Sequence, residues 1–489
     1  MTQRMNILFI HQNFPGQFKN LAISMAKDGH QVVALSRKQA EVEGVTVIPY
    51  GLNRDPEEKL PYLMQELDPK LLRGESAGLI MEDLRQKGFT PDIVYAHPGW
   101  GEAMFVKTIW PETRLVVYAE WYYNPVGQEV DFDAQFSPFT TRQKMRLKVK
   151  NTAMLHALSD ADDAISPTKW QKSRYPRWAW HKIRVIHDGL DLDGLRKDGP
   201  APISLPKANL TLEKGDPVIT FSARYLEPVR GFHRFMSALP DILKQRPDAQ
   251  VLIMGLDAGI PGKKGYGQDN PEGVCWRESL LKNYAHQLDT TRVHFLGFRS
   301  YATYEALLKI SACHVYLTYP FVLSWSFLEA AALGIPTVAS DVAPVQEFSH
   351  LNNLRFVDFH DTSALSRAVV QTLNQPPVCM PNDLSEYDVK SVIPRIKKVL
   401  IDPLWLARKN AKHKSSAEIH DPVILQSARK PAHNEPIRLI TSKNQPEQPA
   451  QIEETPVISK DKAQPDVRAK GKRRTPRRRY TPMVRNKKR

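Results

Sequence analysis

Short apolar runs alternate with helical patterns along most of this 489-residue chain, and few folds accept that alternation. A strand buried on both faces needs an unbroken apolar run, and parallel strands need a crossover, usually helical, between them. Seven such runs open the chain: Asn6–His11, Gln31–Ser36, Val45–Tyr50, Asp92–His97, Arg114–Ala119, Asp163–Ser166 and Ile183–His187. A helical pattern follows the first over Gln17–Asp28, and Gly29 ends it. A Pro-rich bridge, Gly199–Pro217, then leads to six more: Val218–Ala223, Gln250–Gly255, Arg292–Gly297, Cys313–Tyr319, Thr337–Ser340 and Arg355–Phe359. Helical patterns at Gly231–Lys244 and Tyr301–Ile310 lie among them, and Val389–Leu400 and Asp402–Ala411 close the periodic part. The pattern predicts an α/β chain of two doubly wound, Rossmann-like domains, 1–198 and 199–401, with a terminal helix over 402–411.

The charge belongs elsewhere. The chain carries a formal +15, but Arg468–Arg489 alone holds twelve Lys/Arg and no acid. The periodic body is therefore close to neutral, which argues against a nucleic-acid-binding core. The segment 412–489 is rich in Pro, Gln, Lys, Ser and Glu and poor in aromatics, so it is expected to be a disordered basic tail. Such a tail suits peripheral contact with an anionic membrane or another polyanion. Cys275, Cys313 and Cys379 have no close spacing, which argues against a disulfide framework or zinc site and suits a reducing compartment. The N-terminal apolar run, Ile7–Ile10, is too short for a signal peptide, and no stretch reaches membrane-span length. A cytoplasmic location is expected, with the inner face of the membrane as a docking place for the tail.

Four segments sit where open α/β sheets bind ligands, beyond the carboxyl ends of strands. In Ser222-Ala-Arg224-Tyr-Leu-Glu-Pro-Val-Arg230-Gly231, two arginines flank a Pro-containing loop at a helix start and can converge on a diphosphate. Tyr319–Asp341 carries one acid, Glu329, on a short apolar helix; a buried carboxylate needs a hydrogen-bonding partner, which a ribose hydroxyl, a helix end or a salt bridge would supply. His97-Pro-Gly-Trp100 follows a strand, and Glu120-Trp-Tyr-Tyr123 ends the next, so His97 and these aromatics are placed to line one cleft, or to pack in the core. His187-Asp188-Gly189-Leu-Asp191 reads as a tight turn near the domain junction. The loop His11-Gln-Asn13-Phe-Pro-Gly16 contains glycine but lacks the GxGxxG fingerprint, and no P-loop occurs, which weakens dehydrogenase and NTPase readings. Two D-x-D strings, Asp131–Asp133 and Asp191–Asp193, have no other ligands beside them, so no metal site is expected.

Together these segments resemble the GT-B glycosyltransferases of the large retaining family 4, over about residues 5–405. The resemblance implies two domains facing a cleft, the first for acceptor and the second for donor. It implies that Arg224 and Arg230 neutralise the donor diphosphate, with Arg230 where the family has Lys. Glu329 would hold the nucleotide ribose, the backbone of Val322, Leu323 and Ser324 would contact sugar or phosphate, and Gly16 and Asp188 would border the donor. His97 matches the family's acceptor-side histidine. Phe321 departs from the pattern, because the family has a sugar-binding Glu there.

The resemblance further implies transfer from a nucleotide diphosphate sugar to the hydroxyl of a sugar, lipid-linked or polysaccharide acceptor. Retention of configuration, no obligatory metal, no cofactor, and a setting in polysaccharide or lipopolysaccharide biosynthesis go with it. Two alternatives accompany that reading. One is a GT-B sugar epimerase. The other is an inactive GT-B binding protein tethered by its tail to nucleic acid or an anionic membrane.

Overall fold

The computed structural model describes residues 4–136, 140–262, 267, 269–377 and 380–409. The tail expected from 412 onward and Cys379 lie outside these residues. Strands β1 (Asn6–Ile10), β2 (Gln31–Ser36), β3 (Val45–Pro49), β4 (Ile93–Ala96), β5 (Arg114–Tyr118), β6 (Asp163–Ser166) and β7 (Ile183–Val185) form one parallel sheet. Its order is β3-β2-β1-β4-β5-β6-β7, so the chain reverses direction across the sheet between β1 and β4. A small antiparallel hairpin, β8 (Ile203–Leu205) and β9 (Leu210–Leu212), occupies the segment expected to be only a bridge. Then β10 (Val218–Leu226), β11 (Gln250–Asp257), β12 (Val293–Gly297), β13 (Cys313–Tyr316), β14 (Thr337–Ser340) and β15 (Leu354–Val357) form a second parallel sheet. Its order is β12-β11-β10-β13-β14-β15, with the reversal between β10 and β13. All thirteen expected strands are present, and the doubly wound reading of both series holds.

The central strands are apolar throughout because helices cover both faces of each sheet. Ile7, Leu8, Phe9 and Ile10 of β1 have no exposed surface, and each such side chain contributes about 1.5–3 kcal/mol through burial. The helix Phe232–Gln245 turns Phe232, Phe235, Met236, Leu239 and Leu243 into the second core at helical spacing. Its approach to the sheet depends on Gly231, which has φ of 70°. A Cβ there would sit 2.2 Å from Cβ of Leu317, so only glycine lets the helix start this close to the strand end.

Two excursions bind the sheets into one body. The helix Val389–Leu400 leaves the second sheet and packs Val392, Ile393, Ile396 and Leu400 with Met5, Ile7 and Phe9 of the first. Arg114 of β5 secures its end by donating to the Leu400 and Val399 carbonyls at 3.1 and 2.9 Å. In the other direction, the arm after β5 carries Phe132 and Phe136 onto Tyr319, Phe359 and Trp276. Asp133 on this arm accepts hydrogen bonds from His233, Arg234 and Tyr319 at 3.1–3.3 Å. Burial pushes the Asp133 carboxyl up, but His233 and Arg234 outweigh it, and its pKa is depressed.

Candidate active site

The two sheet reversals set the site, because doubly wound sheets bind ligands at such points. On the first sheet, β1 delivers His11 and β4 delivers His97. Gly99 N–H donates to Nδ1 of His97 at 3.2 Å, so the ring proton sits on Nε2 and is donated to Glu120 at 3.0 Å. Asn13 N–H donates to Nδ1 of His11 in the same way. Nε2 of His11 then donates to Gln17, and the Gln17 amide donates to the other Glu120 oxygen at 2.8 Å. Every proton in this chain points toward Glu120. Burial pushes the Glu120 carboxyl up, yet its hydrogen bonds and the neighbouring imidazoles hold its pKa below the ordinary value. Burial, with His97 beside it, lowers His11 to about 3, so that ring is neutral. Trp100 stacks on His97 with centroids 3.9 Å apart and fixes the ring plane.

Gly16 belongs to this chain through shape. Its φ is 45°, and a Cβ would lie 2.7 Å from Cε1 of His11. Its structural effect is to let the loop close over His11.

On the second sheet, β10 runs to Leu226, three residues past its expected end, so Arg224 sits on the strand. The register between β10 and β11 shifts between Ser222 and Tyr225. Such irregularities re-aim side chains at functional edges. Arg224, Arg230, Ser222 and Ser324 line a crevice of about 60 Å³ over the reversal between β10 and β13. Arg224 is exposed and makes no ion pair among the described residues. Arg230 donates to the Val322 carbonyl at 3.0 Å and lies over the Phe321 ring at 5.0 Å. The Ser222 hydroxyl is buried without a hydrogen-bond partner among the described residues. Unpaired cations and an unsatisfied hydroxyl make this edge ready for an anion.

Of the other expected donor-side residues, Ser324 lines this crevice, while Gly16 lies against His11 on the first sheet. Glu329 is 4 % exposed and accepts from the hydroxyls of Tyr301 and Tyr304 at 2.9 and 2.7 Å. Burial raises its pKa, and the two hydroxyls oppose that rise. Tyr301 is itself 57 % exposed, so it forms the outer cover of the carboxylate. The Ser324 amide is taken by the Tyr316 hydroxyl at 2.9 Å, and the Leu323 side chain packs with Phe327 and Leu192. These two positions thus serve the strand end and the core in this conformation. Phe321 packs edge-on against Trp121 of the first domain, with centroids 4.9 Å apart.

Asp188 joins the two edges. Tyr118 donates to one carboxylate oxygen at 2.6 Å, and the Trp325 indole donates to the other at 3.0 Å. Trp325 opens the helix that carries Glu329. Burial pushes Asp188 up to about 6 against these hydrogen bonds. The D-x-D strings are consumed structurally. Asp131 caps Gly127 and Gln128, Asp133 holds the arm, Asp191 caps the helix Leu192–Lys197, and Asp193 pairs with Lys390. Glu120 is the residue whose central place the sequence did not reveal. Its position after an apolar strand was visible, but nothing marked it as the meeting point of two histidine chains.

Two facing, doubly wound sheets with a cationic edge on one and an imidazole–carboxylate edge on the other have the GT-B architecture. The chain belongs to the glycosyltransferases of that class. Residues 28–195 match the model of the glycosyl transferase family 4 group, and residues 206–390 match glycosyl transferases group 1. No curated protein sequence matches the chain. Among solved structures it is similar to the sucrose-phosphate synthase of Thermosynechococcus elongatus, with 19% identity and a TM-score of 0.55. That match covers 85% of this chain and 100% of the other. WaaG, a glycosyltransferase involved in lipopolysaccharide biosynthesis, is similar at 14% identity, TM-score 0.53, covering 81% and 100%. An α,α-trehalose-phosphate synthase (UDP-forming) from Burkholderia vietnamiensis is similar at 11% identity and TM-score 0.53, covering 85% and 99%. Among the described residues no helix is long and apolar enough to cross a membrane.

Proposed function

We propose that the protein transfers a glycosyl group from a nucleoside diphosphate sugar to an acceptor hydroxyl, with the donor on the second domain. The observation that carries this reading is the convergence of Arg224 and Arg230 on one crevice at the β10–β13 reversal. As the glycosidic bond breaks, its electron pair goes to the leaving diphosphate, and the two guanidinium groups take up the growing charge. They supply the counter-charge without requiring a metal. Glu329 holds the ribose hydroxyls once Tyr301 moves aside. His97 lies on the opposite edge and positions the sugar and acceptor, while Glu120 fixes its ring and tautomer.

Phe321 gives the sugar an apolar wall where the resembled family offers a carboxylate. The donor hexose is then oriented chiefly by backbone groups near Val322 and by His97. Retention of configuration, the absence of a cofactor, and a place in polysaccharide or lipopolysaccharide assembly on the cytoplasmic side of a membrane extend the same reading. Their support is the family resemblance.

The test is calorimetric titration of UDP and GDP into the wild type, Arg224→Ala and Glu329→Ala. Nucleotide affinity should fall by about tenfold or more in each variant, the size of one lost charge-assisted hydrogen bond. Unchanged affinity in both overturns the assignment.

A further inference from the structure

The first domain carries a second concavity that the donor reading leaves unused. It measures about 550 Å³ and lies between the chain following Glu120, the helix Thr141–Lys150, and the segment around Arg174–Trp180. That volume falls within the ordinary range of ligand sites. Its lining includes Lys144, Lys148, Arg174 and Arg177, with the rings of Tyr123 and Trp180, and contains no carboxylate among the described residues. Lys148, Arg174 and Arg177 make no ion pair among the described residues. Elsewhere on this domain cations meet acids, as in Arg54–Asp68, Arg85–Glu82, Lys87–Asp83 and Lys107–Asp162. A cleft lined by three cations without ion pairs and by no acid among the described residues carries a net positive field.

The walls are built rather than loose. The Asn124 side chain donates to the Arg174 carbonyl at 2.9 Å and ties one wall to the other. Asn151 both accepts from and donates to the Tyr123 backbone, at 3.0 and 2.8 Å. The Trp180 indole donates to the Tyr175 carbonyl at 2.8 Å, which fixes a ring that remains 37 % exposed. Fixed aromatic faces suit sugar rings, and Lys and Arg without ion pairs suit phosphate or carboxylate, Arg174 being held in place by the Ser173 hydroxyl. The cleft also begins beside the reaction edge: Tyr122 and Tyr123 follow within three residues of Glu120, which orients His97.

We propose that this cleft binds the acidic part of the acceptor, a glycan bearing carboxylate or phosphate groups. This rests on the transferase reading above. The acceptor's charged units anchor on Lys148, Arg174 and Arg177, and its hydroxyl end reaches toward His97.

The test uses the full chain, so that the basic tail contributes equally to every sample. Binding of oligogalacturonate and of neutral maltotetraose is measured for wild type, Lys148→Glu/Arg177→Glu, and the milder Lys148→Gln/Arg177→Gln. UDP affinity is measured in parallel, and vesicles of phosphatidylglycerol in phosphatidylcholine form a third arm. The proposal expects oligogalacturonate to bind about tenfold more weakly in the variants, the size of one charge-assisted hydrogen bond, with UDP affinity unchanged. Equal oligogalacturonate affinity in all three proteins overturns it. Loss confined to vesicle association also overturns it, because the patch would then meet a lipid surface. Failure of the wild type to bind UDP would instead defeat the donor reading, and the oligogalacturonate comparison would still decide this one.

Discussion

The two sheet edges that meet across the cleft are prepared in opposite ways. On the first, the rings of His11 and His97 and both Glu120 oxygens have protein partners, and the chain from Asn13 and Gly99 through His11, Gln17 and His97 ends on one carboxylate. On the second, Arg224 has no ion pair, Arg230 has only a backbone carbonyl and an aromatic face, and the Ser222 hydroxyl has no hydrogen bond among the described residues. A saturated network holds a side chain in one geometry, whereas an unsaturated edge keeps its interaction free energy for a ligand. On the transferase reading proposed above, that difference suits the first edge to positioning and the second to charge binding.

The sharpest way to break that contrast is Arg230→Ala. It removes a cation from the unsaturated edge, so turnover should fall by about 10²–10³-fold, the usual size of a lost transition-state donor. Single-turnover kinetics with a purified donor would check it. A drop that appears only in KM would mean that Arg230 binds donor and transition state equally.

Glu120→Gln probes the saturated edge. The amide keeps the shape but puts an NH₂ against either His97 or Gln17, both of which donate now. One donor loses its acceptor and His97 is no longer held. Turnover should fall by roughly tenfold to a hundredfold, as expected for a misplaced reacting group, with UDP affinity unchanged. Equal loss of UDP affinity would show that the two edges are not separate in function.

The asymmetry also explains what could be read in advance. Parallel strands buried on both faces leave continuous apolar runs, so both sheets were legible in the sequence. The arginines drew attention by flanking a Pro-containing loop at a helix start, and the structure brings both to one crevice. Glu120 was not, since its importance comes from His11 and His97, which are brought together only by the β1–β4 reversal. The helix Met64–Gln86 escaped notice because it carries Pro69 and no clear apolar stripe. The hairpin β8–β9 hid behind a Pro-rich composition. Phe321 could be seen to depart from the resembled pattern, but its packing between Arg230 and Trp121 could not be seen.

The smallest expected effect concerns the arm that holds the edges opposite each other. Asp133 reaches from the first domain to His233, Arg234 and Tyr319 of the second, and its side chain is only 3% exposed. His360, which contacts Arg234, is the remaining titratable neighbour. The Asp133 pKa is depressed below its ordinary value of 3.8, so the stability it contributes is complete above about pH 4. That contribution disappears as pH falls through the folded-state value. Asp133→Asn keeps the shape and loses the charge. At pH 7 it should lower unfolding free energy by about 2 kcal/mol, the scale of a hydrogen bond to a charged group. Below pH 4 the difference should shrink, because the unfolded-state carboxyl takes up a proton while the folded-state carboxyl stays charged, and it vanishes only below the depressed folded-state value. Urea denaturation at pH 7, 5 and 3 measures this directly. A difference that stays constant across the three would mean that the arm is held by Phe132 and Phe136 alone, and that the ion pair does not help to set the opposition of the two edges.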